Sequence, residues 1–330
     1  MVRRFAMSSN IKGIHHITAI AGDPQTNLDF YAGVLGLRMI KKTVNFDAPD
    51  TNHFYYGDKI GSPGTVLTFF PWGKGAWKGR SGAGQVSAIA FSIPAGSMNY
   101  WMERLQKIDM ALQEPSNCFD EEVLTFRDPD GIQLELVVSA VPVTETAPWN
   151  EGPVPVEYAI TGFHSAALAV EDHLPSLELL TSQLGFQFDQ QSGSRYRLKN
   201  KETQIGGVVD LQVLPPGNRG KIGAGTVHHI AWRAADDGAQ QKKREQLIQQ
   251  GYEVTPVVDR NYFHSVYFRE PGNILYEIAT DTPGFLVDET IDELGSKLKL
   301  PGWYESRRQE IESGLPRVKK ANTIRKIFQE

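Results

Sequence analysis

The chain has 330 residues, 40% apolar and 22% charged, enough for one large or two compact domains and too apolar for a disordered protein. Its 34 basic and 39 acidic side chains leave a net charge of -5, without the positive field that would draw in nucleic acid. A single cysteine, Cys118, excludes an internal disulfide, an iron–sulfur cluster and a cysteine-rich zinc site, and no apolar run reaches the roughly 18 residues of a membrane-spanning helix. The opening MVRRFAMSSN carries arginines but no secretory-type apolar stretch, so it reads as a short lead-in to a cytoplasmic chain.

In chain order, four segments open with a short alternating apolar run that predicts a strand: IKGIHHITAIA from Ile11, GQVSAIAFSI from Gly84, ITGFHSAALAV from Ile160 and TVHHIAWRA from Thr226. Each precedes a stretch of helical periodicity, carried by Leu28, Tyr31 and Leu35 in the first and by Leu177, Leu180 and Leu184 in the third. Three of these helices end at glycine plus an apolar residue, Gly36-Leu37, Gly185-Phe186 and Gly251-Tyr252, as a left-handed cap requires. The second has Lys107-Ile108-Asp109, a weaker stop.

Shorter strands follow, and the last ones of units two and four match. FRDPDG leads into Ile132-Gln133-Leu134-Glu135-Leu136, and FREPGN into Ile274-Leu275-Tyr276-Glu277-Ile278. The unit is therefore strand–helix–strand–strand–strand, about 50 to 70 residues long and written four times. This predicts an α+β fold of four βαβββ modules paired into two domains, residues 10–141 and 158–281. A proline-rich linker over 142–157 joins them, and a polar, partly helical tail over 282–330 either buttresses the fold or covers a cavity mouth.

The histidines carry the chemical signal. His15-His16 and His228-His229 are doubled inside the opening strands of units one and four, and strand alternation sends one member of each pair to each face. Unit three has Phe163-His164-Ser165, which sets His164 level with His15 and His228 and puts Ser165 in place of His16 and His229. In unit two, Val86-Ser87 replaces the pair. The second histidine thus marks one functional cavity out of two. The carboxylate is Glu277, set in an apolar run where an unpartnered charge is costly. Its counterpart Glu135 has no second-position histidine to work with and is expected to be a relic paired with a basic residue. Single strand histidines are usually hydrogen-bonded core residues; two doubled ones joined by a buried acid are not.

Two histidines and one carboxylate, His16, His229 and Glu277, form the facial triad of non-haem ferrous sites, with positions left open for substrate and dioxygen. A zinc or nickel isomerase would call for a fourth protein ligand on the last strand of unit one, and Thr65 to Trp72 has no acid. Phe69, Phe70, Trp72 and Trp77 suit a planar apolar substrate. Arg260 would bind an anionic oxygen or form a structural salt bridge, and Tyr267 would donate a hydrogen bond to a metal-bound oxygen or pack as a core tyrosine.

GIHHITAI, TVHHIAWR, EPGNILYEIAT and the tail LPGWYESRRQEIESGLP resemble the vicinal oxygen chelate (glyoxalase/bleomycin resistance/extradiol dioxygenase) superfamily, within it the hydroquinone-type ring-cleaving dioxygenases. The resemblance implies Fe(II), or Mn(II) in its place, held by His16, His229 and Glu277 between modules 1 and 4. His15, Thr18, His228, Arg260 and Tyr267 would surround the metal, with Asp259 beside them and His228 or Tyr267 moving protons. It implies a hydroquinone or catechol and O2 as substrates, both oxygen atoms entering the opened ring, and a homodimer or higher homo-oligomer with no nucleic-acid or membrane partner. A glyoxalase-like isomerase or lyase, and a non-catalytic quinone- or drug-binding protein, are the alternatives.

Overall fold

The computed structural model describes residues 11–139 and 147–322. The N-terminal lead-in, the start of the linker (142–146) and the end of the tail (323–330) lie outside the described residues. Unit one comprises β1 (Ile11–Ala21), α1 (Pro24–Leu28) running into a wider π turn over Asp29–Val34, β2 (Arg38–Asn45), β3 (Ala48–Gly57) and β4 (Val66–Pro71). Unit two is β5 (Gln85–Ile93), α2 (Met98–Gln106), β6 (Ser116–Cys118), β7 (Glu121–Arg127) and β8 (Gln133–Val138). Unit three is β9 (Gly162–Val170), α3 (Leu174–Ser182), β10 (Gln187–Ser192), β11 (Arg195–Lys199) and β12 (Val208–Val213). Unit four is β13 (Thr226–Ala234), α4 (Asp237–Gln249), β14 (Val258–Asp259), β15 (Phe263–Arg269) and β16 (Leu275–Pro283). The four-fold repetition is therefore real, element by element.

Local chemistry sets the boundaries. Asp23 and Asp236 cap α1 and α4 by accepting from the backbone N–H of Thr26 and Ala239. Gly36 ends its helix at φ +74°, and a Cβ there would also strike Val154 of the linker. In unit two the left-handed stop is taken by Asp109 at φ 51°, which explains the missing glycine. The paired turn motifs have a shared purpose. Asp128 accepts from the N–H groups of Asp130, Gly131 and Ile132 and from Tyr31 Oη at 2.9 Å; Glu270 accepts from Ile274 N–H and from Ser176 Oγ at 2.6 Å. Each acid closes its own turn and ties it to the helix of the preceding unit.

Units adjacent in sequence are thus tied through these turns, while the hydrogen-bonded sheets pair the units differently. One eight-stranded sheet has the order β14-β15-β16-β13-β1-β4-β3-β2 and the other β10-β11-β12-β9-β5-β8-β7-β6. Units one and four share the first sheet and units two and three the second. β1 and β13, each the first strand of its unit, pair antiparallel, as do β5 and β9, so the two halves of the chain are joined along both seams. One large apolar core, including Trp101, Trp232, Phe91 and Phe163, fills the space between sheets and helices.

The tail buttresses the outer strands of unit one. Lys41, fully buried on β2, meets Asp288 and Glu289, and Leu300, Ile311 and Leu315 pack on Val44. Tyr304 Oη donates to the carbonyl of Phe46 at 2.8 Å and Trp303 contacts the Phe46 ring, which holds the β2–β3 turn in place. No helix among the described residues is long and apolar enough to cross a membrane.

Candidate metal centre

The strand register explains why the three expected ligands meet. His16 on β1 is level with Ala231 on β13, Ala231 is level with Glu277 on β16, and His229 lies two residues along β13 on the same face. Ala231, fully buried, leaves the space between them open. His229 Nε2 stands 2.9 Å and His16 Nε2 3.4 Å from the same Glu277 oxygen, Oε2. The three ligand atoms lie within 4.8 Å of one another.

Both strands carry a β-bulge at the first histidine of the pair: His15 is the extra residue between Ile14 and His16, and His228 the extra one between Val227 and His229. The bulges modify the simple alternation expected of the pairs, so that each first histidine leans against its neighbour. His15 Nδ1 lies 2.9 Å from His16 Nδ1, and His228 Nδ1 lies 2.8 Å from His229 Nδ1. Each Nε2 is thereby turned to the shared point, and the Nδ1 contact fixes the ring. Ser265, absent from the sequence-derived set, holds the carboxylate by donating its hydroxyl to Glu277 Oε1.

Electrostatics prepare the same point. Burial, followed by the charge of the adjacent histidine, pushes His15 far below the ordinary imidazole range and His228 down to about 3. Burial also lowers His229 despite Glu277 beside it. Burial alone would raise Glu277, but His16 and His229 outweigh it and hold the carboxyl well below its usual range. His229 Nε2 and Glu277 Oε2 have no directed hydrogen-bond partner although both are buried. A neutral imidazole lone pair facing a carboxylate oxygen repels it unless a cation lies between them, and this donor set fits a divalent metal.

The cluster opens on a cavity of about 350 Å³ whose walls include Phe46, Phe70, Trp72 and Phe263. Of the expected neighbours, Thr18, His228, Arg260 and Tyr267 line it. Arg260 Nε donates to Tyr267 Oη at 3.1 Å, and its Nη1 meets Asp47 at 3.0 Å across the cavity mouth. Burial and Glu277 raise the Tyr267 pKa beyond what Arg260 offsets, so it remains a proton-bearing phenol. Two expected neighbours do not line the cavity. His15 packs behind His16, and Asp259 is exposed, accepting from Asn261 N–H in the turn that presents Arg260. Phe69 is core and Trp77 exposed, its ring tilted against Trp72 with centroids 4.9 Å apart. His53, which no repeat argument singled out, lines the cavity.

The equivalent place in the other sheet has no metal chemistry. Its bulges fall at His164 and Ser87, so Ser165 matches His16 and Ala88 matches His229; the unit-two correspondence is Ser87-Ala88, one residue beyond the expected Val86-Ser87. Glu135, in the place of Glu277, stands 3.3 Å from Arg195, a residue of β11 at the level that His53 takes on β3. The relic reading of Glu135 is thereby supported.

Two expectations follow. Ser265→Ala should weaken metal binding and turnover about 10–100-fold without unfolding the sheet, measured by metal titration and steady-state rates. Metal-free protein should lose stability in acid. His15, His53, His228 and His229 all titrate lower folded than unfolded, so their contribution is complete above about pH 6.5 and declines as the pH falls towards the His228 value of about 3. A urea midpoint unchanged between about pH 7 and pH 4 would show that these rings are not sequestered on folding.

Known proteins resemble this chain over most of its length. MhqO of Bacillus subtilis (strain 168), provisionally named a ring-cleaving dioxygenase, is 48% identical over 309 residues, 94% of this chain and 97% of its own. A chlorohydroquinone/hydroquinone 1,2-dioxygenase of Sphingobium indicum is 33% identical over 312 residues, 92% and 96% of the two chains. A crystal structure from Bacillus subtilis subsp. subtilis str. 168, provisionally named a dioxygenase, superposes with a TM-score of 0.91 at 46% identity, over 96% of this chain and 100% of that one. The family model described as Glyoxalase/Bleomycin resistance protein/Dioxygenase superfamily matches residues 13–136 and 162–278, two stretches that each span a pair of repeats. By sequence, by repeat and by fold, the chain belongs to that superfamily.

Proposed function

We propose that the protein is a ring-cleaving dioxygenase that opens a small aromatic diphenol, hydroquinone or catechol in type, and inserts both atoms of O2. The carrying observation is the convergence of three buried donors, two of them orphaned, at the wall of an aromatic-lined cavity. The relatives named for ring cleavage and for hydroquinone point the same way.

In this reading His16, His229 and Glu277 hold Fe(II), with Mn(II) a possible substitute. The metal would supply an electron route between ring and dioxygen and lower the pKa of a bound hydroxyl. The remaining steps belong to the protein. Phe70, Trp72 and Phe263 take the flat faces of the ring and exclude water. With His229 Nε2 given to the metal, neutral His228 would accept from His229 at Nδ1 and keep Nε2–H as a donor at the cavity wall. Tyr267, oriented by Arg260, donates its O–H to an oxygen that gains charge as the ring opens, and Thr18 supplies a further hydroxyl. A glyoxalase-type isomerase would use a fourth protein ligand. The remaining acid at this cavity, Asp47, is mostly exposed and committed to Arg260. We further infer a cytoplasmic enzyme, consistent with its one cysteine, acting as a homo-oligomer.

The test is oxygen uptake by anaerobically prepared, Fe(II)-loaded protein offered hydroquinone, methylhydroquinone or catechol. Uptake equal to substrate consumed, with both atoms of labelled dioxygen in a ring-opened product, is expected. Full iron occupancy with no uptake on any diphenol would sink ring cleavage.

A further inference from the structure

We propose that His53 reads the hydroxyl lying across the ring from the metal-ligand cluster, which makes it the residue that selects para-diphenols over ortho-diphenols. The inference rests on the diphenol reading above and concerns a residue that the repeat pattern did not mark.

The placement follows from the sheet. Along the order β13-β1-β4-β3, His53 sits two strands beyond the strand of His16, about 10 Å across the sheet at the usual spacing and nearer the level of Phe70 and Ile20, and it lines the same cavity. Its ring is held between Tyr55 and Phe70, with centroids 4.0 and 4.3 Å away. His53 Nε2 lies 2.9 Å from Thr68 Oγ1, and Thr68 in turn donates to Thr18 Oγ1 at 2.8 Å. With Thr68 donating to Thr18, Thr68 accepts from His53, and in this arrangement the His53 ring carries its proton on Nε2. The remaining nitrogen, Nδ1, is then a bare acceptor, and no described residue hydrogen-bonds to it.

An acceptor held rigidly at the cavity wall recognises an O–H, not an anion. A diphenol with one oxygen at the cluster and its second hydroxyl at the opposite end of the ring can donate to His53 Nδ1. A catechol keeps both oxygens at the cluster and leaves Nδ1 unmet, a loss that a site built around a hydrogen bond does not recover elsewhere. A methyl ether at the far position fails in the same way, because it has no proton to give.

The experiment measures binding without turnover. Zinc-loaded, anaerobic protein is titrated with hydroquinone, 4-methoxyphenol and catechol. Wild type is expected to bind hydroquinone at least about tenfold more tightly than 4-methoxyphenol. His53→Phe should erase that preference and leave catechol affinity within about twofold, while His53→Asn, whose Oδ1 falls near the Nδ1 position, should keep part of it. With Fe(II), kcat/KM should fall in His53→Phe for hydroquinone and not for catechol. No hydroquinone preference in wild type, or equal weakening of all three ligands in His53→Phe, would overturn the proposal. Failure of the dioxygenase reading shows separately, as absent oxygen uptake by iron-loaded wild type on every diphenol while the binding preference is read from the zinc form.

Discussion

His229→Ala is expected to remove bound metal and oxygen uptake together, with turnover falling by about three orders of magnitude or more. Only three protein donors converge here, and two of them already face each other without a directed hydrogen bond. Taking away one imidazole leaves Glu277 fully buried with His16 3.4 Å away, a pair too sparse to hold a divalent ion against water. A metal site supplies several kcal/mol of charge stabilisation, which sets the expected loss of rate. Two controls separate this from misfolding. Glu277→Gln keeps the shape and removes the charge, so it should lose metal as well. His264→Ala should leave both metal content and uptake near wild type, because that ring is half-exposed and turned to Asp237 at 2.6 Å. Metal content by elemental analysis and oxygen uptake are the measurements. Retained metal in His229→Ala would remove this residue from the ligand set.

The legible part of the site is the part that the repeat wrote twice. His16, His229 and Glu277 could be chosen because each sits at a repeat position whose counterpart is something else: Ser165, Ala88 and the neutralised Glu135. The turn acids were visible as a motif, although their second partners, Tyr31 and Ser176, were not. What escaped was long-range pairing. Nothing in a linear pattern says that β1 hydrogen-bonds to β13 more than two hundred residues away, so the grouping of units into sheets was set by contacts between edges that each unit leaves open. Side chains that act through such pairing were hidden for the same reason. Ser265 reaches Glu277 across β15 and β16, and strand alternation counted back from Tyr267 would have placed it on the ligand face. His53 comes from a strand whose counterpart position carries Arg195 in place of a histidine, and it gave no signal beyond alternation with Tyr55. That Asp259 faces solvent was not legible either, because it depends on the turn reversing at Asn261, φ 66°.

The other sheet yields the second large effect. Arg197→Met should destabilise the protein by about 3–5 kcal/mol while leaving the oxygen uptake of folded, metal-loaded chains within about twofold. Arg197 is almost fully buried and grips Asp210 with two hydrogen bonds, 2.8 and 2.9 Å, while its third nitrogen bonds Glu121. Arg195 adds contacts at 3.1 Å to Asp210 and 3.3 Å to Glu135. Two guanidinium groups thus pair with three carboxylates, with His164 also 3.0 Å from Glu121, on the sheet that lacks the doubled histidines. Removing Arg197 takes both hydrogen bonds from Asp210, which has no exposure to solvent, and leaves it the single contact to Arg195. Removing the acid as well should return much of the loss, so Arg197→Met with Asp210→Leu is expected to unfold at a higher urea concentration than Arg197→Met alone. The metal-to-protein ratio should stay at one in both variants, since Ser165 and Ala88 supply no imidazole to a second ion. A ratio of two in Arg197→Met would show instead that the arginines guard a latent centre, and that the two halves of the repeat differ in occupancy more than in chemistry.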